Sequence, residues 1–366
     1  MSKTGRKFSS YARALDPINA NYTVAELISE DQEVPFPSAE FNSPPGGPIN
    51  YTASPATGAN YHDYLIGAQS VVVDPLDRLW IIDTGRAILD DGTVVPASPG
   101  GPKLIGIDLT TNKTFQTIVF PPNVVYPDSY INDIRFDLRS SVPGTSGKGV
   151  GYMTDSSPEG RNGIVIIDLG TGESWRHLEN LPQVTSEAGF VPIIWGEPVY
   201  TLPRGPDGPI AQSSFGSDGI ALSADGSTLY FCPIGSRNLY SVPTARLLDR
   251  GPTSELLATQ SIVDHGNKGI ADGLETDSND RIYSGAIESN AVTIFHPNNG
   301  TISVFVRDPR IGWPDTFSVT EDGYIYFIID QYWRTATFYP GTDRRERPLV
   351  LFRVKCPDGG SKVLLK

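Results

Sequence analysis

One short pattern recurs along this chain and leaves few folds open to it. Ser217–Pro233 reads SDGIALSADGSTLYFCP, an Asp-headed apolar run, a tight Asp-Gly turn and a second apolar run. Two short β-rich runs joined in this way signal a hairpin. The same hairpin returns from Ala271-Asp272-Gly273 to Tyr283, from Pro314-Asp315 to Tyr326, and from Ala68-Gln69 to Trp80. Asn132-Asp133-Ile134 leads, after a Ser/Gly-rich insertion, to Tyr152. Eleven residues separate Asp272 from Tyr283, Asp315 from Tyr326 and Gln69 from Trp80, and twelve separate Asp218 from Tyr230. A partial copy, Ser2 to Phe8, opens the chain already inside the turn. Further strand-like runs follow the copies, Asn238–Val242 and Leu256–Ala258 after one, Ala291–Phe295 and Thr301–Val306 after another. Six copies of a four-stranded unit predict an all-β six-bladed propeller, a single domain over residues 1–366. A β-sandwich offers no reason for an Asp to head successive hairpins.

Charge and composition narrow the function. The formal net charge is −13 and Lys and Arg are scattered, so the basic face that nucleic acid requires is missing. No uninterrupted apolar run is long enough to cross a bilayer, which predicts a soluble protein with no membrane partner. Two cysteines, Cys232 and Cys356, provide no disulfide framework or thiolate cluster, and are expected as two buried free thiols. No signal peptide is visible. Asn21, Asn50, Asn112 and Asn299 each begin a glycosylation sequon. Compartment and oligomeric state stay open at this stage. The first blade lacks an inner strand ahead of its turn; either that strand is absent or the tail Ser361 to Lys366 takes its place.

Strand direction then predicts where a ligand goes. The head of each first strand and the end of each second strand share one face, because neighbours in a blade are antiparallel. The long insertions 33–67, 85–102, 182–216 and 330–348 all enter first strands or join second to third strands. One face therefore carries the elaboration, and functional residues concentrate on such loops over a rigid scaffold. No segment shows a convincing helical period.

At this point the chain resembles the major royal jelly protein/yellow family. The resemblance rests on Val71-Val72-Val73-Asp74 with Asp77-Arg78-Leu79-Trp80-Ile81-Ile82-Asp83-Thr84-Gly85, on Lys103 to Leu109, on Tyr130 to Arg135, and on Ile220 to Ser223 with Leu229 to Pro233. It implies a six-bladed propeller, in agreement with the repeat. The family includes secreted nutritive, pigmentation and amine-binding proteins. Within it, Pro37–Gly47 and the Gly58-Ala-Asn-Tyr-His-Asp-Tyr run look like fungal members, some of which act as hetero-Diels–Alderases joining a tropolone-type quinone methide to a terpene alkene.

The chemistry-bearing residues fit a small-molecule site. There is no nucleophile elbow, zinc-protease helix motif, P-loop or dinucleotide fingerprint. His177 and His296 sit in outer-strand runs and read as structural, whereas His62 and His265 lie in or beside the elaborated loops. Asp133, Asp218, Asp272 and Asp315 head inner strands, with Gln69 in the matching place; Asp83, Asp155 and Asp330 end second strands on the same face. Such a ring either holds a divalent cation through oxygen ligands, as the related gluconolactonase propellers do, or fixes loops by accepting backbone N–H bonds. Its repetition favours the scaffold role, so no metal and no cofactor are expected. The aromatic-rich insertions predict an apolar pocket with a few polar handles. Trp195, Trp313, Tyr332 and Trp333, with Asp133, Asp218, Asp272 and Asp315, are the expected substrate-binding residues. Tyr61, His62 and Arg334 are the expected catalytic hydrogen-bond donors. The implied function is a hetero-Diels–Alder cyclisation of two largely apolar partners; a non-catalytic carrier and a metal-dependent lactonase are the alternatives.

Overall fold

The computed structural model describes residues 1–16, 22–202 and 210–366. Six antiparallel sheets stand in sequence around one axis, each built from consecutive strands. Blade one has three strands, Lys7–Ser10, Val24–Leu27 and Glu33–Pro35. Blades two to five have four, their inner strands being Ala68–Val73, Ile131–Asp137, Ser217–Leu222 and Leu274–Thr276. Blade six has Pro314–Val319, Tyr324–Ile329 and Val350–Lys355. This is the six-bladed, nearly all-β propeller that the repeat implies. The sequon at Asn21 lies outside the described residues.

The inner hairpins of blades two, four, five and six are closed by the same kind of turn, headed by Asp74, Ser223, Asp277 and Thr320. In blade two, Asp74 N–H donates to the Arg78 carbonyl (2.9 Å) and Asp77 N–H returns to the Asp74 carbonyl (3.0 Å). The Asp74 carboxylate also accepts from Leu76 N, Arg78 N and Trp80 Nε1. An Asp side chain that captures its own turn makes the hairpin locally determined. Burial then decides the rest. Val150–Asp155 and Gly163–Asp168 of blade three are buried at every position, and their Tyr152, Ile164 and Ile166 pack with Ile220, Leu229 and Phe231 of blade four.

Two short helices, Thr244–Leu248 and Ser254–Gln260, correct the expectation of none and replace the strand expected at Leu256–Ala258. The fourth strand of blade four is Val263–Asn267. Glu, Leu, Leu, Ala and Gln are strong helix formers, but seven residues are too few to show a period. The helices hold because Leu247 and Ala258 join the core between blades three and four, and because Glu255 accepts from Leu178 N, Glu179 N and His177 Nδ1. His177, clamped there and at the Asp249 carbonyl, is structural as expected. Both cysteines are buried free thiols. Among the described residues, no helix is long and apolar enough to cross a membrane.

The tail does not fill the first blade. Lys362 pairs across to Asp277, Leu365 accepts from Leu138 N–H (2.9 Å), and Lys362 Nζ donates to the Val73 carbonyl (2.8 Å). The last residues run across one end of the axis, opposite the elaborated face.

Candidate functional site

The heads of the inner strands are irregular in the same way in four blades. The pairing register slips by one residue between Ala68 and Ser70, Ile131 and Ile134, Ser217 and Gly219, and Pro314 and Phe317. A bulge of this kind re-aims a side chain, and bulges gather beside active sites. Here the re-aimed residues are Gln69, Asn132, Asp218 and Asp315, joined from blade five by Asp272. They form a polar chain across the axis. Tyr130 Oη donates to Gln69 Oε1 (2.6 Å), Gln69 Nε2 to Asn132 Oδ1 (3.3 Å), and Asn132 Nδ2 to Asp218 Oδ2 (2.5 Å). Blade three thus presents Asn132 to the chain. Asp133, the residue expected there, is one place further on, its carboxylate held by Arg135 Nη1 at 2.7 Å.

Three carboxylates close the ring. Asp272, Asp315 and Asp330 place one oxygen each within 4.8 Å of one another, Asp272 buried and the other two partly exposed at the mouth. Desolvation, then the neighbouring charge of Asp272, pushes the Asp330 and Asp315 carboxyls well above the usual range. Asp218 is pushed up by burial and by Asp272 and Asp315. Like charges this close cannot all ionise cheaply, so the cluster keeps protons where isolated carboxyls would have lost them. The all-oxygen triad also suits a hard divalent cation such as Ca²⁺.

Comparison among equivalent positions separates scaffold from site. Asp83 and Asp155 end second strands as Asp330 does. Asp83 accepts from the N–H groups of Ile66, Gly67 and Gly85, with Lys103 Nζ at 3.4 Å. Asp155 accepts from Tyr130 N, Ser157 N and Arg176 Nη1. Those two are loop clamps. Asp330 accepts from Tyr332 N (2.9 Å) and otherwise faces Asp272, whose charge outweighs the opposing influence of the Arg345 guanidinium. The neighbouring Tyr332 hydroxyl is buried and, among the described residues, has no hydrogen-bond partner. Burial and Asp330 raise its pKa, so it stays a donor.

Over this ring sits a cap made by two insertions. Leu202 N–H donates to the Thr337 carbonyl (3.0 Å) and Tyr339 N–H to the Tyr200 carbonyl (2.9 Å), tying the 182–216 segment to the 330–348 segment. Inside it Trp313 and Trp333 stack at 6.3 Å and 11°, and Phe190, Ile194, Val199 and Phe338 pack round them. Trp313 holds a left-handed backbone (φ 66°), which a bulky residue adopts only when its surroundings insist. Its Nε1–H bonded to Asp272 Oδ2 at 2.6 Å is one such constraint. A Cβ on Gly312 would meet the Trp333 ring at 2.5 Å, so only glycine fits under that indole.

The expected site residues fall into three places. Asp218, Asp272, Asp315, Trp313, Tyr332 and Trp333 come together at the axis, with Trp313 and Trp333 inside the cap's own core (1% and 8% exposed). Trp195 and Arg334 lie on the cap's outside, where the Arg334 guanidinium rests over Trp333 and Trp195 and pairs with Glu346. Tyr61 and His62 belong to the loop leading into blade two: Tyr61 Oη donates to the Pro45 carbonyl, its carbonyl accepts from Lys103 Nζ, and His62 pairs with the exposed Asp63. His265 is packed between Tyr230 of its own blade four and Phe295 of blade five. Beside the ring an open cleft is lined by Gln69, Asp315, Asp330, Tyr332 and Arg345, with Leu15, Ile328, Ile329, Leu349 and Leu351 as its apolar wall. Asn132 and Arg345 carried no readable signal; an Asn-Asp pair does not show which member a bulge turns inward.

With this arrangement in view, kinship can be stated. The pattern of the major royal jelly protein family matches residues 66–354. The chain belongs to that family. It is 27% identical over 203 residues to major royal jelly protein 1 of Apis mellifera, covering 54% of this chain and 42% of that protein. It is 25% identical over 262 residues to protein yellow of Drosophila erecta, covering 68% of this chain and 41% of that one. The matches thus span less than half the length of these relatives. Among solved structures it resembles streptogramin B lyase (TM-score 0.45, 12% identity, 89% of this chain and 87% of that one). It also resembles a gluconolactonase of Xanthomonas campestris (TM-score 0.40, 12% identity, 71% and 68%).

Proposed function

We propose that this member of the family binds an apolar, carbonyl-bearing small molecule at the axial mouth and promotes its hetero-Diels–Alder cycloaddition with an alkene. The observation that carries the reading is the set of donors there, the Tyr332 hydroxyl, which has no partner among the described residues, beside the proton-retaining Asp315 and Asp330 carboxyls. In the reaction a C=C–C=O heterodiene and an alkene form one C–C and one C–O bond; no atom leaves and no net proton moves. The protein's part is to hold both partners in a near-attack geometry and to stabilise charge building on the carbonyl oxygen. Neutral acids donating hydrogen bonds do the second, and the Leu15, Ile328, Leu349 and Leu351 wall gathers the alkene. The donor role passes from Tyr61, His62 and Arg334 to Tyr332 and the two Asp residues, because Tyr61 and His62 belong to the blade-two loop and Arg334 is engaged by Glu346 and two indoles.

A tropolone-type quinone methide generated with a terpene alkene, with and without protein, tests this. Faster formation of one stereoisomer over the spontaneous background is expected. Identical racemic products would overturn catalysis, and tight binding of one partner without a change of product would establish a carrier. The carboxylate triad supports a second reading, a metal-dependent lactonase: Asp272, Asp315 and Asp330 would hold a hard cation that polarises the lactone carbonyl. Lactone hydrolysis abolished by a chelator and restored by Ca²⁺ would establish it; absence of such hydrolysis removes it.

A further inference from the structure

Two of the four-stranded blades end in a bare, apolar outer strand. Lys113–Val119 closes blade two and Thr301–Arg307 closes blade five, each paired along one edge only among the described residues. Phe115 and Val119 are 41% and 40% exposed in the first, Ile302 and Val304 39% and 64% in the second. The runs Thr114–Val119 (TFQTIV) and Thr301–Val306 (TISVFV) carry no charge, no proline and no glycine, and are rich in β-branched and aromatic residues. That is the composition by which an unpaired edge recruits another chain. The other two four-stranded blades avoid it. The blade-three edge Ser174–His177 is covered, Trp175 Nε1 donating to the Leu247 carbonyl (2.7 Å) with the Arg250 guanidinium over its ring. The blade-four edge Val263–Asn267 reads VDHGN, polar after its first residue.

Each bare strand, and neither of the other two, is headed by a glycosylation sequon. Asn112-Lys113-Thr114 and Asn299-Gly300-Thr301 begin in the turns between third and fourth strands, since Asp108 pairs with Lys113 and His296 with Thr301. Both asparagines are exposed. Asn112 holds the left-handed conformation (φ 55°) that asparagine tolerates, and its Oδ1 accepts from Arg6 Nη1 (3.0 Å). Asn299 Oδ1 accepts from Thr301 N (3.0 Å) and from Thr301 Oγ1 (2.7 Å). In both, the amide oxygen is engaged while Nδ2, the atom that a glycan takes, donates to nothing among the described residues. Third strands run away from the elaborated face, so these turns lie on the opposite face and leave the mouth clear. Asn50 also begins a sequon, in the insertion 33–67, and heads no such strand.

We infer that Asn112 and Asn299 carry N-linked oligosaccharides that screen these two outer strands. In the transfer, Nδ2 forms a bond to the anomeric carbon of an oligosaccharide carried on a lipid pyrophosphate. The bond from that carbon to the phosphate oxygen breaks, the pyrophosphate leaves with the electron pair, and Nδ2 gives up one proton. The donor belongs to the lumen of the secretory pathway, so the chain passes through it; both thiols are buried and closed to the oxidising chemistry there. A strand of seven residues spans about 23 Å, and the sugars start at its head. A bulky, hydrated, uncharged chain anchored there stands over the edge at which a second protein would pair. Blades three and four need no such cover, which accounts for where the two sequons fall. The inference holds whatever reaction the mouth supports.

Protein purified from its own source cells provides the test. A peptide N-glycosidase acting in heavy-oxygen water turns each occupied asparagine into a labelled aspartate, which mass spectrometry of the peptides locates. Label is expected at positions 112 and 299, and unmodified asparagine at either would overturn the inference. The screening role is read on folded protein trimmed enzymatically to the first sugar of each chain, a change that adds no charge. By light scattering the trimmed protein should self-associate at roughly tenfold lower concentration than the intact protein, with the same circular dichroism. Val119→Lys combined with Val304→Lys, one charge on each bare edge, should restore the solubility of trimmed protein. Leu256→Lys, at an exposed helix position away from both edges, should not. Equal solubility of trimmed and intact protein, or equal rescue by Leu256→Lys, would overturn the screening role.

Discussion

Asp330 shows how one residue type serves opposite ends within a single ring. At the positions of Asp83 and Asp155 the carboxylate is saturated by backbone N–H groups and a cation, and stabilises its loop. At Asp330 burial and Asp272 raise the pKa, so ionising this carboxyl costs stability. A carboxyl whose folded pKa lies above its unfolded value contributes stability fully present below the unfolded pKa and lost as pH rises through the folded one. Asp330→Asn should therefore raise the melting temperature at pH 8, by roughly 2–4 °C. The gain should vanish near pH 3, where both states are protonated, and thermal melts across that range check it. An equal gain at every pH would mean that packing, not ionisation, is responsible. Tyr332→Phe removes only a hydroxyl that has no hydrogen-bond partner among the described residues. It should leave the melting temperature within about 1 °C and cut the enzyme-dependent cycloaddition by roughly 10- to 100-fold. A large loss of stability with unchanged rate would remove Tyr332 from the site.

At the scale of elements, the cap and the blade-three/four helices are stabilised by similar means and serve different ends. Trp333 is stacked on Trp313, over a glycine that nothing larger can replace, and Tyr332 precedes it in the same short 3₁₀ turn. His177 ties an outer strand to Glu255, away from the axis. Trp333→Ala should open a cavity in the cap, cost about 3–5 kcal/mol locally, and abolish ligand binding measured by calorimetry. His177→Ala should lower the melting temperature and leave binding unchanged. Equal loss of binding in both would show that the cap does not position the ligand. The blades were legible in the sequence because an Asp-bearing turn is a local device, complete within six residues. The helix Ser254–Gln260 was not, since its partners His177 and Leu178 lie more than 70 residues away. The ring was half legible: Asp218, Asp272 and Asp315 head their strands visibly. Asn132 against Asp133 depends on a one-residue register slip that no pattern of residue types records.

At the scale of the whole molecule, a propeller is a closed ring of near-equivalent interfaces, so its cooperativity is set by the weakest one. Ile131–Asp137 and Ser217–Leu222 are buried at every position, and their blades share a continuous core. Lys7–Ser10 is half-buried throughout, and Val350–Lys355 is exposed at four of its six positions. Across this seam the ties include the ion pair of Arg345 with Asp16 and the Met1 contact to Ser318. Local opening free energies follow buried apolar contact, which makes the seam the place where the ring first parts. Hydrogen exchange in the free protein should run roughly 100-fold faster at Lys7–Ser10 and Tyr324–Ile329 than at Ile131–Asp137. Arg345→Ala should widen the difference by speeding the seam alone. Uniform protection round the ring would mean that the blade-one and blade-six faces close on each other as tightly as the other blades do.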